Sequence, residues 1–499
     1  MTTQTLPETP HASTTTPVVP LLKLAAGPLA FGTILLLPIP LSYQGRVSLA
    51  TFVCVIAWWV TRPMPWGIAA MLPLIVFPTA GVMTIAATTA LYGQPIFFWI
   101  MGTVLVGYAI DKHGLAQRVA LAFLALPGIG GKTRRLTFAY MFLTGCISMF
   151  VSDAATIAMM CPIGMSLVRH IRVLTGTAPA DKTNFAAFMT LGTMYASVAG
   201  GTATVMGVPH NAIAVSLLER ITGRQLGFFE WMAAGVPVFV TLLVVFYSLL
   251  WLLTPPEIRV MPSGEAFLRA EHARLGPIRP NEKRVLVVFG AMVTLFVLPT
   301  IAALALPADH AFVVWAQRAL PVWVVPPVVM LLLFTIPSTE APGATLLSWK
   351  DAEQHTPWNT MLLVLGGVAM TEALLQFGFV DLMGEFVKGL GISATALPYV
   401  AGVFVAITTD LISGIAAATL YCSIFIPAAA EVGFNPASMA ILIANVALGL
   451  VFPWAGAVEA TTFTVGDITM GKMIRIGLVA TVVFVTVTAT LHLLLSPYI

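Results

Sequence analysis

With 499 residues, 58% of them hydrophobic and only 9% charged, and a mean hydropathy of +0.94, the chain is far poorer in charge than the roughly 25% of a soluble domain. This excludes a soluble globular protein and makes the chain a polytopic membrane protein. The net charge of +3 belongs to loops, which suits juxtamembrane segments and not a nucleic-acid surface.

The first stretch, "MTTQTLPETPHASTTTPVVP" (1–20), is rich in Thr and Pro. It lacks the basic and apolar regions of a secretory signal and reads as a disordered tail. Residues 21–92 read as N-terminal scaffold helices. A first repeat occupies 93–254, with apolar stretches at 95–112, 136–151, 154–174, 185–200 and 228–254. A polar, basic linker follows at 255–284, with six Lys or Arg against four Glu, which assigns it to the cytoplasmic side. Further scaffold helices fill 285–356, and a second repeat fills 357–499. At about 20 residues per span, the pattern predicts an all-α membrane protein with about 11 spans, plus hairpins and broken helices. Gly and Pro punctuate 185–213 and 445–464 heavily, and irregular backbone is tolerated at membrane depth only where it lines a cavity or is buried in protein.

The repeats answer each other block by block. "IMGTVLVGYAIDKHGLAQRVALAFLALPGIG" (100–130) aligns with "VLGGVAMTEALLQFGFVDLMGEFVKGLGIS" (364–393), so that Gly102 meets Gly366 and Gly114 meets Gly378. Downstream, "SDAATIAMMCPIG" (152–164) answers "SGIAAATLYCSIFIPA" (413–428). "FFEWMAAGVPVFVTLL" (228–243) answers "MGKMIRIGLVATVVF" (470–484). Repeats with matching interruptions are the pattern of secondary transporters, whose site lies at the repeat interface near the midplane. Cys54, Cys146, Cys161 and Cys422 form no CxxC or Cys/His cluster and read as buried apolar side chains. The chain has no HExxH and no GxSxG, which argues against an enzyme.

These blocks resemble the divalent anion:sodium symporter family. "PIFFWIMGTVLVGYAIDKHGLAQRVAL" (95–121) is similar to that family's first re-entrant hairpin. "TPWNTMLLVLGGVAMTEALLQFGFVDLMGEFV" (356–387) is similar to the second. "RRLTFAYMFLTGCISMFVSDAATIAMMCPIG" resembles the helix leading to a Ser-Asn-Thr motif, with Ser152 and Pro162 at the family spacing. "YASVAGGTATVMGVPHNAIAVSLL" (195–218) resembles its Gly-rich segment ending in Pro-x-Asn, here Pro209-His210-Asn211. The resemblance implies inverted repeats, a homodimer formed through a scaffold domain, and an elevator-type transport domain. It implies that both Ser-Asn-Thr motifs sit at hairpin tips and hold substrate carboxylates beside sodium ions. By the same token it implies a secondary active transporter of small anions, of dicarboxylate type, coupled to sodium or protons. Such a protein would be multi-pass in the bacterial inner membrane, with no organic cofactor and no nucleic-acid partner.

The motifs depart from the pattern. The first reads Ser152-Asp153-Ala154. The second reads Ser413-Gly414-Ile415, with a second register at Ala417-Ala418-Thr419. An Asn amide both donates and accepts, whereas an ionised Asp only accepts and repels an anion. Asp153 therefore has three readings: a proton-coupling group, a strengthened sodium site, or a cap on the helix that follows. Asp410 and Glu459, near the second motif and the second break, join it as ion-coupling candidates with Gly201 and Asn211. Substrate-binding candidates are Ser152, Asp153, Ala154, Thr202, Pro209, His210, Asn211, Ser413, Gly414, Ile415 and Thr419. The same acids suit a cation/proton antiporter or an anion exchanger of the wider superfamily, and that alternative stays open. Glu372 has no evident basic partner in the sequence.

Overall fold

The computed structural model describes residues 18–178, 181–261, 263–307, 309–321, 323–379, 382, 385, 389, 391–453 and 455–499. Most of the expected N-terminal tail, and the distal end of the stretch read as the second hairpin, lie outside these residues. The described residues are helical throughout, joined by turns and two isolated bridges. Eight helices are long and apolar enough to cross a membrane. The other apolar stretches are shorter because they are bent, broken or folded back.

The repeats seen in the sequence share a structural cause. The helix Pro95–Lys112 packs on Val325–Thr335, where a side chain at Gly102 would collide with Pro326. Its counterpart Trp358–Gln376 packs on Trp66–Ala69 and the following turn, where Gly366 leaves room for the Ala70 carbonyl. Gly114 and Gly378 each take a positive φ, 74° and 83°, at the end of these helices, a conformation that only glycine adopts without strain.

The fold-back lies one helix pair further along than the resemblance placed it. After Gly114, the chain of 95–121 does not form the tip-bearing hairpin. It continues as an amphipathic helix, Leu115–Leu124, whose Arg118 donates to the carbonyls of Leu275, Gly276 and Pro277 in the linker. The next two helices, Thr133–Ser148 and Asp153–Thr175, are the hairpin. Tyr140 Oη donates to the Met160 carbonyl at 2.8 Å across the pair. Both open ends meet the linker: Thr133 N bonds the Arg259 carbonyl at 3.1 Å, and the His170 ring stacks on Phe267 at 4.3 Å. The linker is thus no loose loop. It carries its own helix, Gly264–Arg274, which packs on Leu115–Leu124 beside the base of the first hairpin.

The second hairpin, Leu397–Leu411 and Gly414–Val432, enters from the opposite face. Thr408 and Tyr421 pair their hydroxyls at 2.6 Å across it. Its base lies with the C-terminal segment, where Asn435 Nδ2 donates to the Ser496 carbonyl at 3.1 Å.

Two broken helices complete the inverted arrangement. Asn184–Gly201 starts on the linker side, where the N–H groups of Asn184 and Phe185 donate to the Glu257 carboxylate of the linker. Its continuation, Pro209–Thr222, ends on the other side, where Arg224 donates to the Ile499 carbonyl. Pro436–Val446 and Ala457–Val465 run the other way, ending where Asp467 pairs with Arg172 and Lys182. The repeats thus cross the membrane in opposite senses, and each supplies one hairpin and one break.

Candidate functional site

The tips and the breaks meet. Each motif serine is the N-cap of a helix: Ser152 precedes Asp153–Thr175, and Ser413 precedes Gly414–Val432. The bend of the second hairpin falls at 412–413, so Ser413-Gly414-Ile415 occupies the position that Ser152-Asp153-Ala154 holds in the first. The second register is thereby set aside. Thr419 lies further along the helix, its hydroxyl on the Ile415 carbonyl at 2.9 Å and its methyl against Gly367. It packs on Trp358–Gln376 and is not brought to the tip.

At the first tip, Asp153 opens its helix and is buried. Its Oδ1 accepts from the Ala154 N–H at 2.8 Å, which serves the orphan donors of a helix start. Its carbonyl accepts from Ser197 Oγ at 3.1 Å, and Ser197 pairs with Ser148 at 3.1 Å. Thr204 donates to the Met149 carbonyl and thereby joins the first break to the first tip. Ser148 and Ser197 are not among the sequence candidates, whereas Thr204 belongs to the Gly-rich segment that is. Their signal was small hydroxyls in otherwise apolar helices, and such residues serve packing equally often.

Asn211 holds the first break closed. Its Nδ2 donates to the carbonyls of Gly201 and Thr204 at 2.8 and 2.7 Å. Its Oδ1 is buried without a hydrogen-bond partner. Thr202, by contrast, has its hydroxyl on the Ala199 carbonyl, while its own carbonyl accepts from Trp231. Both polar groups of Thr202 are therefore occupied within the protein. Pro209 begins the continuing helix, where its missing N–H costs nothing. His210 reaches across to the other repeat: a side chain at Gly414 would strike its Nε2 and the Ala447 carbonyl. Its Nδ1 is buried and unpartnered.

At the second tip the acid sits outside the motif. Asp410, in the last turn before the bend, faces the backbone N–H groups of Leu450, Val451 and Phe452 in the second break, with Val451 N 3.4 Å from Oδ1. Glu459 lies in the first turn of Ala457–Val465. A methyl at Gly449 would stand 2.7 Å from Glu459 Oε1 and 3.1 Å from Asp410 Oδ1, so this glycine lets the two acids approach. Asn445, next to this break and absent from the sequence candidates, also carries a buried, unpartnered Oδ1. Among the described residues, no Lys, Arg or His pairs with Asp153, Asp410 or Glu459. Nor do three or more His, Cys, Asp or Glu side chains converge as a metal cluster among them. Glu372 does have a partner: Arg220, 152 positions away, at 2.7 Å.

Both tips lie toward the linker side. A methyl at Gly107 would stand 3.9 Å from Ser152 N. Gly107 is about 7 Å from the linker-side end of its helix and about 18 Å from the other, at about 1.5 Å per residue. On the second hairpin, Thr419 lies against Gly367 and Ser423 pairs with Thr371, so the tip at Ser413 falls near the Trp358 end of Trp358–Gln376, which follows the linker-side Lys112–Asp351 contact.

Residues 19–497 match the family model described as the sodium:sulfate symporter transmembrane region. The chain belongs to this family. It is accordingly a multi-pass integral membrane protein and a secondary active anion transporter, not an enzyme. Over 472 residues it is 29% identical to the sodium-dependent dicarboxylate transporter SdcS of Staphylococcus saprophyticus, covering 92% of this chain and 88% of that protein. SdcS of Staphylococcus aureus is 27% identical, with coverage of 92% and 87%. Among solved structures, the chain is similar to Neisseria gonorrhoeae MtrF, with a TM-score of 0.55 and 14% identity over 93% of this chain and 96% of that one. It is also similar to the Alcanivorax borkumensis YdaH transporter, with a TM-score of 0.51 and 12% identity over 81% and 85%. These two structures speak for the fold alone.

Proposed function

We infer that this transporter carries small dicarboxylate-type anions across the plasma membrane, coupled to sodium or protons, by an elevator movement of the two hairpins and two broken helices. The observation that carries this reading is the meeting of both tips and both breaks around three buried acids that no cationic side chain neutralises. A dianion entering such a site meets like charges at low dielectric, where each pair costs several kcal/mol, of the order of 4 at 4 Å. Anion binding is therefore favourable only with bound cations or protons, and by linkage each strengthens the other. Coupling is thus built into the charge of the site. Asp153 and Glu459 are the groups that take up the cation or proton. Asp410, whose Oδ1 accepts from the Val451 N–H, instead fixes the second break. Asn211 Oδ1 and Asn445 Oδ1 are hard oxygens without protein partners, of the kind that sodium prefers.

The linker's basic excess argues for the cytoplasmic side, and on that reading both tips stand in an inward-displaced position. An elevator reaches its outward state by moving the same rigid site past the outer helices. Those helices, including the largely exposed Pro280–Ala305, offer the face through which a homodimer would form. The test is uptake of labelled C4-dicarboxylate, tricarboxylate and sulfate into proteoliposomes, with sodium and pH gradients imposed separately. Dicarboxylate uptake driven by either gradient supports the reading. Sodium efflux without any anion uptake would favour cation antiport and overturn it.

A further inference from the structure

Arg62 follows the helix Tyr43–Thr61 with a left-handed backbone, φ 53° and ψ 51°, its N–H on the Trp58 carbonyl at 2.8 Å. Glycine is usual at such a helix end, and a side chain there costs about 1 kcal/mol or more. The side chain explains why an arginine stands there. Its guanidinium lies 5.0 Å over the Trp66 ring, and Nη2 donates to the Ile412 carbonyl at 2.9 Å. The platform beneath it is fixed. Trp59 and Trp66 exchange hydrogen bonds between each indole N–H and the other's carbonyl, at 3.1 and 3.2 Å. Gly67 N bonds Asn359 Oδ1 at 2.8 Å. Arg62 therefore belongs mechanically to the outer helices.

Ile412 belongs to the hairpin unit. Its carbonyl falls in the bend, one residue before Ser413. The first tip is held differently: its carbonyls at Met149 and Asp153 go to Thr204 and Ser197, both within its own repeat. Among the described residues, Arg62 is the basic side chain hydrogen-bonded to either tip.

We propose that Arg62 is a positioning residue that latches the second hairpin tip to the outer helices while the site lies on the linker side. Carriage of the site to the other face requires this bond to open, so the latch sets how the two positions are populated. The proposal rests on the two-sided transport reading, but one of its readouts does not.

A hydrogen bond from a charged donor is worth enough to bias such an equilibrium about ten-fold. In proteoliposomes holding the full chain, Arg62→Gln is expected to raise KM for labelled C4-dicarboxylate about ten-fold when offered from the linker side. KM from the other side is expected to stay the same or fall. Arg62→Lys, which keeps a donor, is expected to stay within about three-fold of the parent. Trp66→Leu, which removes the ring under the guanidinium, is expected to fall between the two. An equal rise on both faces, or no change in Arg62→Gln, overturns the latch. Independently of any substrate, spin labels at Tyr43→Cys and Ala430→Cys report the hairpin position relative to the outer helices. Loss of the parent distance in monodisperse Arg62→Gln supports the proposal, and an unchanged distribution overturns it even if the carried anion is of another class.

Discussion

The two hairpin tips do the same structural job with different chemistry. Each ends in a serine at the N-cap position of a helix, and each abuts a break in a crossing helix. At the first tip the acid is inside the motif, as Asp153, and the tip carbonyls at Met149 and Asp153 are held by hydroxyls of its own repeat. At the second, the motif position is Gly414, and the acid has moved upstream to Asp410, where it holds the backbone of the second break. The room left by Gly414 is taken by His210 from the first repeat and by the Ala447 carbonyl. The first tip therefore presents a buried carboxyl without a cationic partner, and the second forms a tightly packed joint between repeats. Inverted repeats thus need not place their acids alike, even where their backbones correspond.

The sharpest way to break this comparison is to add a methyl to the second tip. Gly414→Ala drives a side chain into the Ala447 carbonyl and the His210 ring. Transport is expected to fall at least 100-fold, with the protein still inserted and monodisperse, as measured by uptake and size-exclusion chromatography. Uptake near parent levels would mean that the joint is not tight. Next is Asn211→Ala, which leaves the Gly201 and Thr204 carbonyls without donors. A loss of about 2–4 kcal/mol of stability is expected from two buried hydrogen bonds, read as a lowered melting temperature together with loss of uptake.

Asp153→Asn probes the first tip alone. It restores the amide that the family motif carries and keeps the side chain's size. Uptake is expected to stay within about ten-fold of the parent. The pH or sodium dependence, measured at fixed anion concentration, is expected to shift markedly. An unaltered dependence would assign Asp153 to capping only. The equivalent change at the second tip, Asp410→Asn, is expected to cost about 1–3 kcal/mol of stability by weakening its hold on 450–452, with little change in cation dependence. Equal shifts in the two variants would erase the distinction between the tips.

The smallest expected effect lies away from both tips. Lys112 meets Asp351 at 2.9 Å at the linker-side end of Pro95–Lys112. Burial opposes ionisation of Asp351, but the Ser348 hydroxyl and N–H and the Lys112 ammonium outweigh it and hold the carboxyl below the usual range. A carboxyl lowered in the folded state stabilises it above the ordinary carboxylate pKa, and that contribution is lost as pH falls through and below this value. The expected contribution is about 1 kcal/mol. Asp351→Asn should therefore lower the melting temperature at neutral pH and make little difference under strongly acidic conditions.

Much of the site was legible in the sequence. Gly102 and Gly366, paired by simple alignment, turn out to make the same close approach. Gly114 and Gly378 share the same left-handed turn. The break before Pro209-His210-Asn211 falls inside the stretch that Gly and Pro mark in the sequence, because these residues interrupt helices locally. Other features were not legible. The first fold-back is put at 95–121 by the resemblance to the family's first re-entrant hairpin. Only the contacts of Arg118 with the linker and of Tyr140 with Met160 separate the amphipathic helix from the true hairpin. The register of the second motif could not be chosen from residue spacing, since Pro427 is displaced by about one turn from the family distance.

The sequence by itself determined that this chain lies in a membrane, that its two halves correspond, and where its helices break. Hydropathy, repeat spacing and turn residues act over a few neighbouring positions, and the sequence displays them directly. Tertiary structure alone decided that Asp410 fastens a break 40 residues away, that Glu372 meets Arg220, and that Arg62 reaches Ile412 across 350 positions. Each of these pairs joins groups that are costly to leave unpaired in a low-dielectric interior. The partner each finds depends on how inverted halves pack, and no local pattern encodes that packing.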